Sequence, residues 1–248
     1  MDWDRGSYEE TAKELLPAAE HVVRQAGIEE GQKVLDLGTG TGNAAALAAK
    51  AGANVTAIDP SPRLLEVARE RVGSGTFQVA TAEDLPFDDQ SFDRVLSLFA
   101  VIFSEQPQAA AKEIQRVLKP AGRALITAWE PAGALNEALG ILGSETAKAA
   151  GAENKRFGWG EPDKVKALFD GTAVEVERAE LSFGVPSAEA YISRFEARHP
   201  AGMLFREVLT RAGTYGEIRE RARQALDADL PDAIGYFVYT ISSPRTAA

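Results

Sequence analysis

Cysteine is missing from all 248 residues. The chain therefore has no disulfide, no thiolate nucleophile and no thiolate-held metal. Histidine is almost missing too: His21 and His199 are the only two, so proton transfer near neutral pH has few candidates. Long apolar runs are absent. None approaches the roughly 20 residues that cross a bilayer, and no membrane partner is expected. Basic clusters are absent as well. Lys and Arg number 27 against 37 Asp and Glu, for a net charge of −10, and no patch stands out of that acidic background to attract a polyanion. A nucleic-acid partner is not expected. With no N-terminal signal pattern and no cysteine, a cytoplasmic location is expected. There is no internal repeat.

A hydrophobic fraction of 45% and a charged fraction of 26% suit one large α/β domain. The most informative stretch is Val34-Leu35-Asp36-Leu37-Gly38-Thr39-Gly40-Thr41-Gly42-Asn43-Ala44-Ala45. An apolar run, an acid, glycines at alternate positions and alanine-rich sequence predict a buried strand, a tight turn and a helix start. Glycine permits φ > 0 and lets a ligand lie against bare backbone. The first helical turn offers N–H donors. Asp36 stands at the strand end, where a ligand's ammonium group could meet it. A second strand, Val55–Ile58, leads to Asp59. A right-handed strand-helix-strand unit puts Asp59 beside the glycine turn, where a carboxylate accepts ribose hydroxyls. The competing reading makes Asp59 the acid before a helix start at Asp59-Pro60-Ser61-Pro62. The glycines alone also fit a dinucleotide turn, since Gly40, Gly42 and Ala45 match G-x-G-x-x-A.

The remaining pattern predicts an amphipathic helix over 9–26, strand one over 33–37, and helices over 41–51, 62–72 and 106–118. Further strands are expected over 76–80, 94–98, 124–129, 172–183 and 234–241, the last carrying three aromatics. Helices are expected over 134–150, 162–169, 187–198 and 202–229. Phe99-Ala100-Val101-Ile102-Phe103 is more apolar than a surface loop and is expected to line a cleft, with ordinary core packing as the other reading.

Three further features share one likeness. Asp36-x-Gly38-x-Gly40-x-Gly42 resembles motif I of the class I S-adenosylmethionine-dependent methyltransferases. Thr81-Ala82-Glu83-Asp84-Leu85-Pro86-Phe87, followed by Ser91-Phe92-Asp93, resembles the family's Asp-Ala-x-x-Leu-Pro-Phe and Ser-Phe-Asp signatures, with Thr81 in place of the acid. Glu113 and Arg116-Val117-Leu118-Lys119-Pro120-Ala121-Gly122 resemble its Glu-x-x-Arg-Val-Leu-Lys-Pro-Gly-Gly signature, with Ala121 in place of a glycine. The resemblance covers about 33–129 with specific motifs and the rest by element order.

The resemblance implies a doubly wound α/β fold. Its seven-stranded sheet would be mostly parallel with the last strand antiparallel, with helices on both faces and a helical lid near the C-terminus. One domain over 1–248 is expected, with its core at about 30–130 and 172–241 and its lid at about 133–170 and 187–229. The implied cofactor is S-adenosylmethionine, leaving as S-adenosylhomocysteine. Asp36, Gly38, Thr39, Gly40, Asn43, Asp59, Pro60 and Leu64 would bind it from the first half of the sheet. Thr81, Ala82 and Glu83 would meet the adenine, Leu98 and Phe99 would lie near the methyl group, and Tyr8 would cover the methionine end.

The expected activity is methyl transfer to the O, N or C of a small-molecule acceptor, mainly by proximity and desolvation. No Asn/Asp-Pro-Pro-Tyr run follows strand four. Ser97-Leu98-Phe99 offers no carboxylate for Mg²⁺, so no metal is expected. His199, before Pro200-Ala201-Gly202, is the candidate general base; a solvated loop histidine is the other reading. The competing functions are a NAD(P)-dependent oxidoreductase, for which no Tyr-x-x-x-Lys pair is present, and a non-catalytic S-adenosylmethionine-binding protein.

Overall fold

The structure, a computed structural model, describes residues 1–153, 157–182, 184 and 186–244. The elements are, in order, α1 (Tyr8–Glu14), α2 (Leu16–Ala26), β1 (Lys33–Leu37), α3 (Asn43–Lys50), β2 (Asn54–Asp59), α4 (Pro62–Val72), β3 (Thr76–Val79), β4 (Phe92–Leu98), a 3₁₀ turn (Val101–Phe103), α5 (Pro107–Val117) and β5 (Leu118–Trp129). After them come α6 (Gly133–Ala149), α7 (Pro162–Leu168), β6 (Ala173–Ser182), α8 (Ala188–Arg198), α9 (Pro200–Arg211), α10 (Tyr215–Asp227) and β7 (Ala233–Ser242).

The seven strands form one sheet in the order β3-β2-β1-β4-β5-β7-β6. β1 runs parallel to β2 and β4, β2 to β3, and β4 to β5. β7 lies antiparallel to β5, with Trp129 opposite Tyr236 and Ile126 opposite Tyr239. Strands covered on both faces read as continuous apolar runs, and β1, β4 and β5 bury Val34, Leu35, Val95, Leu96, Ala124, Leu125 and Ile126. Strand order reverses at β1, between β2 and β4. In open α/β sheets ligands bind at such a switch point, outside the carboxyl ends of the strands.

Two compact units share the chain. The sheet unit is Leu15–Trp129, Phe157–Ala179 and Tyr236–Ala248; the helical unit is Met1–Glu14, Glu130–Arg156 and Glu180–Gly235. Within the sheet unit, Leu35, Ile58, Val95, Ile114, Ile126, Phe169 and Tyr239 belong to one core. Within the helical unit, Leu135, Leu142, Ile192, Phe205, Leu209 and Leu226 form another.

Several expected boundaries move. The helix over 9–26 is two helices, because Pro17 lacks an N–H and its ring opposes the carbonyl four residues back; α2 begins at Leu16 with Pro17 in its first turn. The helix expected from Thr41 starts at Asn43, since Gly40 and Gly42 are left-handed, at φ +55° and +81°. The helical run over 202–229 breaks at left-handed Gly213 into α9 and α10. Strand five begins at Leu118, not Ala124: Leu118 pairs with Phe92 and Arg123 with Arg94, so residues 119–122 bulge out opposite Asp93. Strand six was expected to end at Phe183, which lies outside the described residues.

Candidate active site

β1 delivers Asp36 and the glycine turn. Gly38 has φ +71°, and a Cβ there would collide with that of Ala100, so the position needs glycine on both counts. The N–H groups of Gly38 and Thr39 both donate to the Ile58 carbonyl, at 2.9 Å each. Gly40 N–H donates to Asp59 Oδ2 at 2.8 Å, and Ser61 N–H donates to Asp59 Oδ1 at 2.9 Å. Asp36 Oδ2 accepts from the Thr39 hydroxyl at 2.7 Å and from Ala45 N–H at 2.9 Å. Ala45 is the third residue of α3. The N-terminal turn of that helix is thus already served by an anion from the chain itself.

The electrostatics follow from burial. Asp36 and Asp59 are 2% and 5% exposed. Burial pushes the Asp36 carboxyl up to about 6. The Thr39 and Ala45 hydrogen bonds pull the other way, and the Asp59 charge adds to the rise. A pyrophosphate at this helix end would meet the buried Asp36 carboxylate. A ligand carrying positive charge is favoured instead.

The other residues expected in this half are placed as follows. Leu64 is buried, and its N–H donates to Ser61 Oγ at 3.0 Å, capping α4. Pro60 is exposed. Asn43 accepts from the Arg71 guanidinium through its side-chain oxygen. At the end of β3, Thr81 is exposed and Ala82 buried. Glu83 accepts from Ser104 Oγ at 2.5 Å. Burial opposes ionisation of Glu83, but hydrogen bonds from Ser104, from its own N–H, from Thr81 and from Glu105 N–H hold its carboxyl below the usual range. Among the described residues, no group of three or more His, Asp or Glu is arranged to hold a metal ion. No described helix is long and apolar enough to cross a membrane.

Sequence reasoning missed Ser97 and Thr127. β4 ends at Leu98, half-buried, and Phe99 turns left-handed at φ +52°. Phe99 N–H donates to Thr127 Oγ1 at 2.8 Å, and Val101 N–H donates to Ser97 Oγ at 3.1 Å. The Phe99 ring stacks on Trp129, with centroids 3.9 Å apart. The available signal was one hydroxyl each in the apolar runs of β4 and β5, where a buried polar group needs a partner.

Tyr8 and His199 both belong to the helical unit, and the structure brings them together. Their ring centroids lie 6.0 Å apart, and Trp3 lies 5.5 Å from Tyr8 and 5.7 Å from His199. Phe195 stacks on His199 at 4.9 Å. His199 joins α8 to α9 and caps α9, its Nδ1 accepting Ala201 N–H at 3.1 Å. The neutral ring then carries its proton on Nε2.

A doubly wound sheet with a glycine turn and two buried carboxylates at its switch point defines a nucleoside-binding α/β protein of the Rossmann kind. Residues 35–126 match the family described as "Methyltransferase domain", and the chain carries a domain of the class I S-adenosylmethionine-dependent methyltransferases.

The chain is similar to an uncharacterised protein of Mycobacterium tuberculosis, 37% identical over 173 residues, 67% of this chain and 63% of that protein. It thus spans somewhat under two thirds of the length of such relatives. A demethylmenaquinone methyltransferase of Clavibacter sepedonicus is 44% identical over 99 residues, 39% of this chain and 40% of that protein. Among solved structures, a phosphoethanolamine N-methyltransferase of Haemonchus contortus, in complex with phosphomonomethylethanolamine and S-adenosylhomocysteine, superposes with a TM-score of 0.60. That match has 22% identity over 92% of this chain and 53% of that one, and it shows the shared fold.

Proposed function

We propose that the chain binds S-adenosylmethionine at the glycine turn and transfers its methyl group to a small-molecule acceptor. The observation that carries this reading is the buried pair Asp36 and Asp59 around the turn. Of the two, Asp36 disfavours the pyrophosphate of a dinucleotide and suits a ligand with an ammonium group, while Asp59 suits the ribose of either ligand. The donor set supports the fit: a cradle closed to any Cβ at Gly38, a carboxylate beside it, and the backbone of Ala82 at the end of the next strand.

Asp59 would accept the ribose hydroxyls. Ala82 N–H would meet an adenine ring nitrogen, and Asp36 would face the ammonium group. When bound, the cofactor supplies a methyl group already activated on a sulfonium sulfur. The chain's share is then alignment and exclusion of water, to which the apolar wall Phe99–Phe103 would contribute. In the helical unit, His199 with its proton on Nε2 suits orienting an acceptor oxygen better than taking a proton from it. The demethylmenaquinone methyltransferase likeness supports a small acceptor, although its shared 99 residues are fewer than half of this chain. We propose a cytoplasmic enzyme that needs no metal.

The deciding experiment is calorimetry with S-adenosylhomocysteine and, separately, NADH. Micromolar binding of the first and none of the second is expected. The reverse would replace methyl transfer by hydride transfer. Turnover of labelled cofactor over a panel of hydroxyl, amine and activated-carbon acceptors then separates an enzyme from a binding protein.

A further inference from the structure

We propose that Thr127 is a positioning residue for the cofactor turn. It would act through the backbone of Phe99, and this rests on the reading of that turn as the S-adenosylmethionine site. Phe99 is a bulky residue with φ +52°. Such residues occupy the left-handed region at a cost, and they persist there only where the surroundings over-determine them.

Four contacts hold this one. Thr127, with no solvent exposure, accepts the Phe99 N–H at 2.8 Å from the neighbouring strand. Ser97, equally buried, accepts the Val101 N–H two residues further on, at 3.1 Å. The Phe99 ring lies flat on Trp129, with an interplanar angle of 11°, and meets Tyr236 edge-on at 5.5 Å.

The result of the held turn is the placement of Ala100. Its Cβ closes on the spot a Gly38 side chain would fill, so the loop after β4 rests directly on the glycine turn. Two loops from neighbouring parallel strands are thereby set against each other by a hydroxyl on a third strand. Without the Thr127 acceptor the Phe99 N–H is buried without a partner, and the backbone gains by leaving the left-handed region. Ala100 then moves, and the glycine turn loses one wall. Thr127 itself needs no contact with the ligand.

The test is S-adenosylhomocysteine affinity by calorimetry, with thermal unfolding measured in parallel. Thr127→Val keeps the shape and removes the acceptor; it should weaken binding about tenfold, while Thr127→Ser, which keeps the oxygen, should recover most of that loss. A second pair works through the backbone alone. Phe99→Gly and Phe99→Val both remove the ring, but only glycine accepts φ > 0 freely. The glycine variant should therefore bind about tenfold more tightly than the valine variant.

Equal affinities within the Phe99 pair, or wild-type affinity in Thr127→Val, would overturn the proposal. If Thr127→Val does not fold, the Phe99 pair decides. A wild-type chain that binds no S-adenosylhomocysteine would instead remove the functional reading on which this rests.

Discussion

The sheet unit and the helical unit are stabilised by different means. In the sheet unit, buried polar groups are tied to backbone: Asp36 to Ala45, Asp59 to Gly40 and Ser61, Thr127 to Phe99. Among the described residues, all the non-glycine positions with positive φ, namely Gln90, Phe99 and Ala121, fall in it. The helical unit has no such left-handed position among the described residues. Many of its polar links run between helix side chains: Arg219 with exposed Glu189 and with buried Glu196, exposed Arg211 with Glu207, and Arg223 with Glu220. The exposed pairs among these contribute little each, so the apolar core of the helical unit carries most of its stability. Strain and buried charge cost stability, and they are kept where a fixed geometry is used. The sheet unit holds geometry at a cost. The helical unit carries less of it, its buried Glu196 being answered by Arg219 at 3.1 Å.

The sharpest way to break this contrast is Asp59→Ala. It removes the proposed ribose acceptor and leaves the N–H groups of Gly40 and Ser61 without their carboxylate. Affinity for S-adenosylhomocysteine should fall by about 3 kcal/mol, over a hundredfold, and unfolding should come at lower temperature. Calorimetry on the folded variant checks it. A loss below threefold would mean that Asp59 serves only the loop.

Asp36 tests the cost of buried charge. Its carboxyl ionises near pH 6 in the folded chain against an ordinary 3.8. Because the folded state holds the proton more tightly, the contribution to stability is full below pH about 4 and is lost as pH rises to about 6. Asp36→Asn carries no such charge. Between pH 4 and 7 the stability of the variant relative to wild type should therefore rise by something on the order of 3 kcal/mol. Chemical denaturation at several pH values reads this directly, and parallel curves for the two proteins would show that Asp36 is not ionised against a penalty. In the same variant, cofactor affinity should drop if the ammonium group meets this carboxylate.

Local signals made much of the sheet unit legible. β1 and α4 begin and end where Lys33–Leu37 and Pro62–Val72 were expected, because Gly, Pro and Ser punctuate both ends. The glycine turn and Asp59 were equally visible. What the residues did not reveal was direction. Asp36 reads as an acid aimed at a ligand, and its oxygen also accepts from Thr39 in the turn and Ala45 at the start of α3. Thr127 reads as an interruption of an apolar strand, and its partner lies on another strand. The helical unit was visible only as amphipathic runs, which say which face is buried but not against what. The approach of Tyr8 to His199, from opposite ends of the chain, is a tertiary fact with no local signature.

His199 probes the other side of the comparison. Asn replaces its Nδ1 acceptor with a good N-cap, so α9 should stay capped in His199→Asn, whereas His199→Ala should lose about 1 kcal/mol of helix stability. If the ring orients an acceptor hydroxyl, His199→Asn should lower kcat by about a hundredfold with cofactor affinity intact. Full turnover in the asparagine variant would leave His199 as a cap within its aromatic cluster, and the helical unit without a catalytic side chain.

The smallest effect expected is a gain. Ala121 stands where the resembling family signature has a glycine, and its backbone is left-handed at φ +60°. It lies in the bulge of β5, and its side chain is exposed, so no packing offsets the conformational cost. Ala121→Gly should remove that cost while adding some freedom to the unfolded chain, for a net stabilisation of about 0.5–1 kcal/mol. It should do so without touching cofactor affinity, since the bulge lies at the amino end of the regular β5 pairing and the glycine turn lies beyond the carboxyl end of β1. The matching change at Phe99 separates useful strain from idle strain. Both substitutions relieve a left-handed residue, but Phe99→Gly also gives up the stack on Trp129 and should lower the melting temperature. A melting temperature that rises for Ala121→Gly and falls for Phe99→Gly would mark only the second position as one where the fold compensates its strain. Two rises would mean that the aromatic stack contributes nothing, and that the turn at the end of β4 is held by its hydroxyls alone.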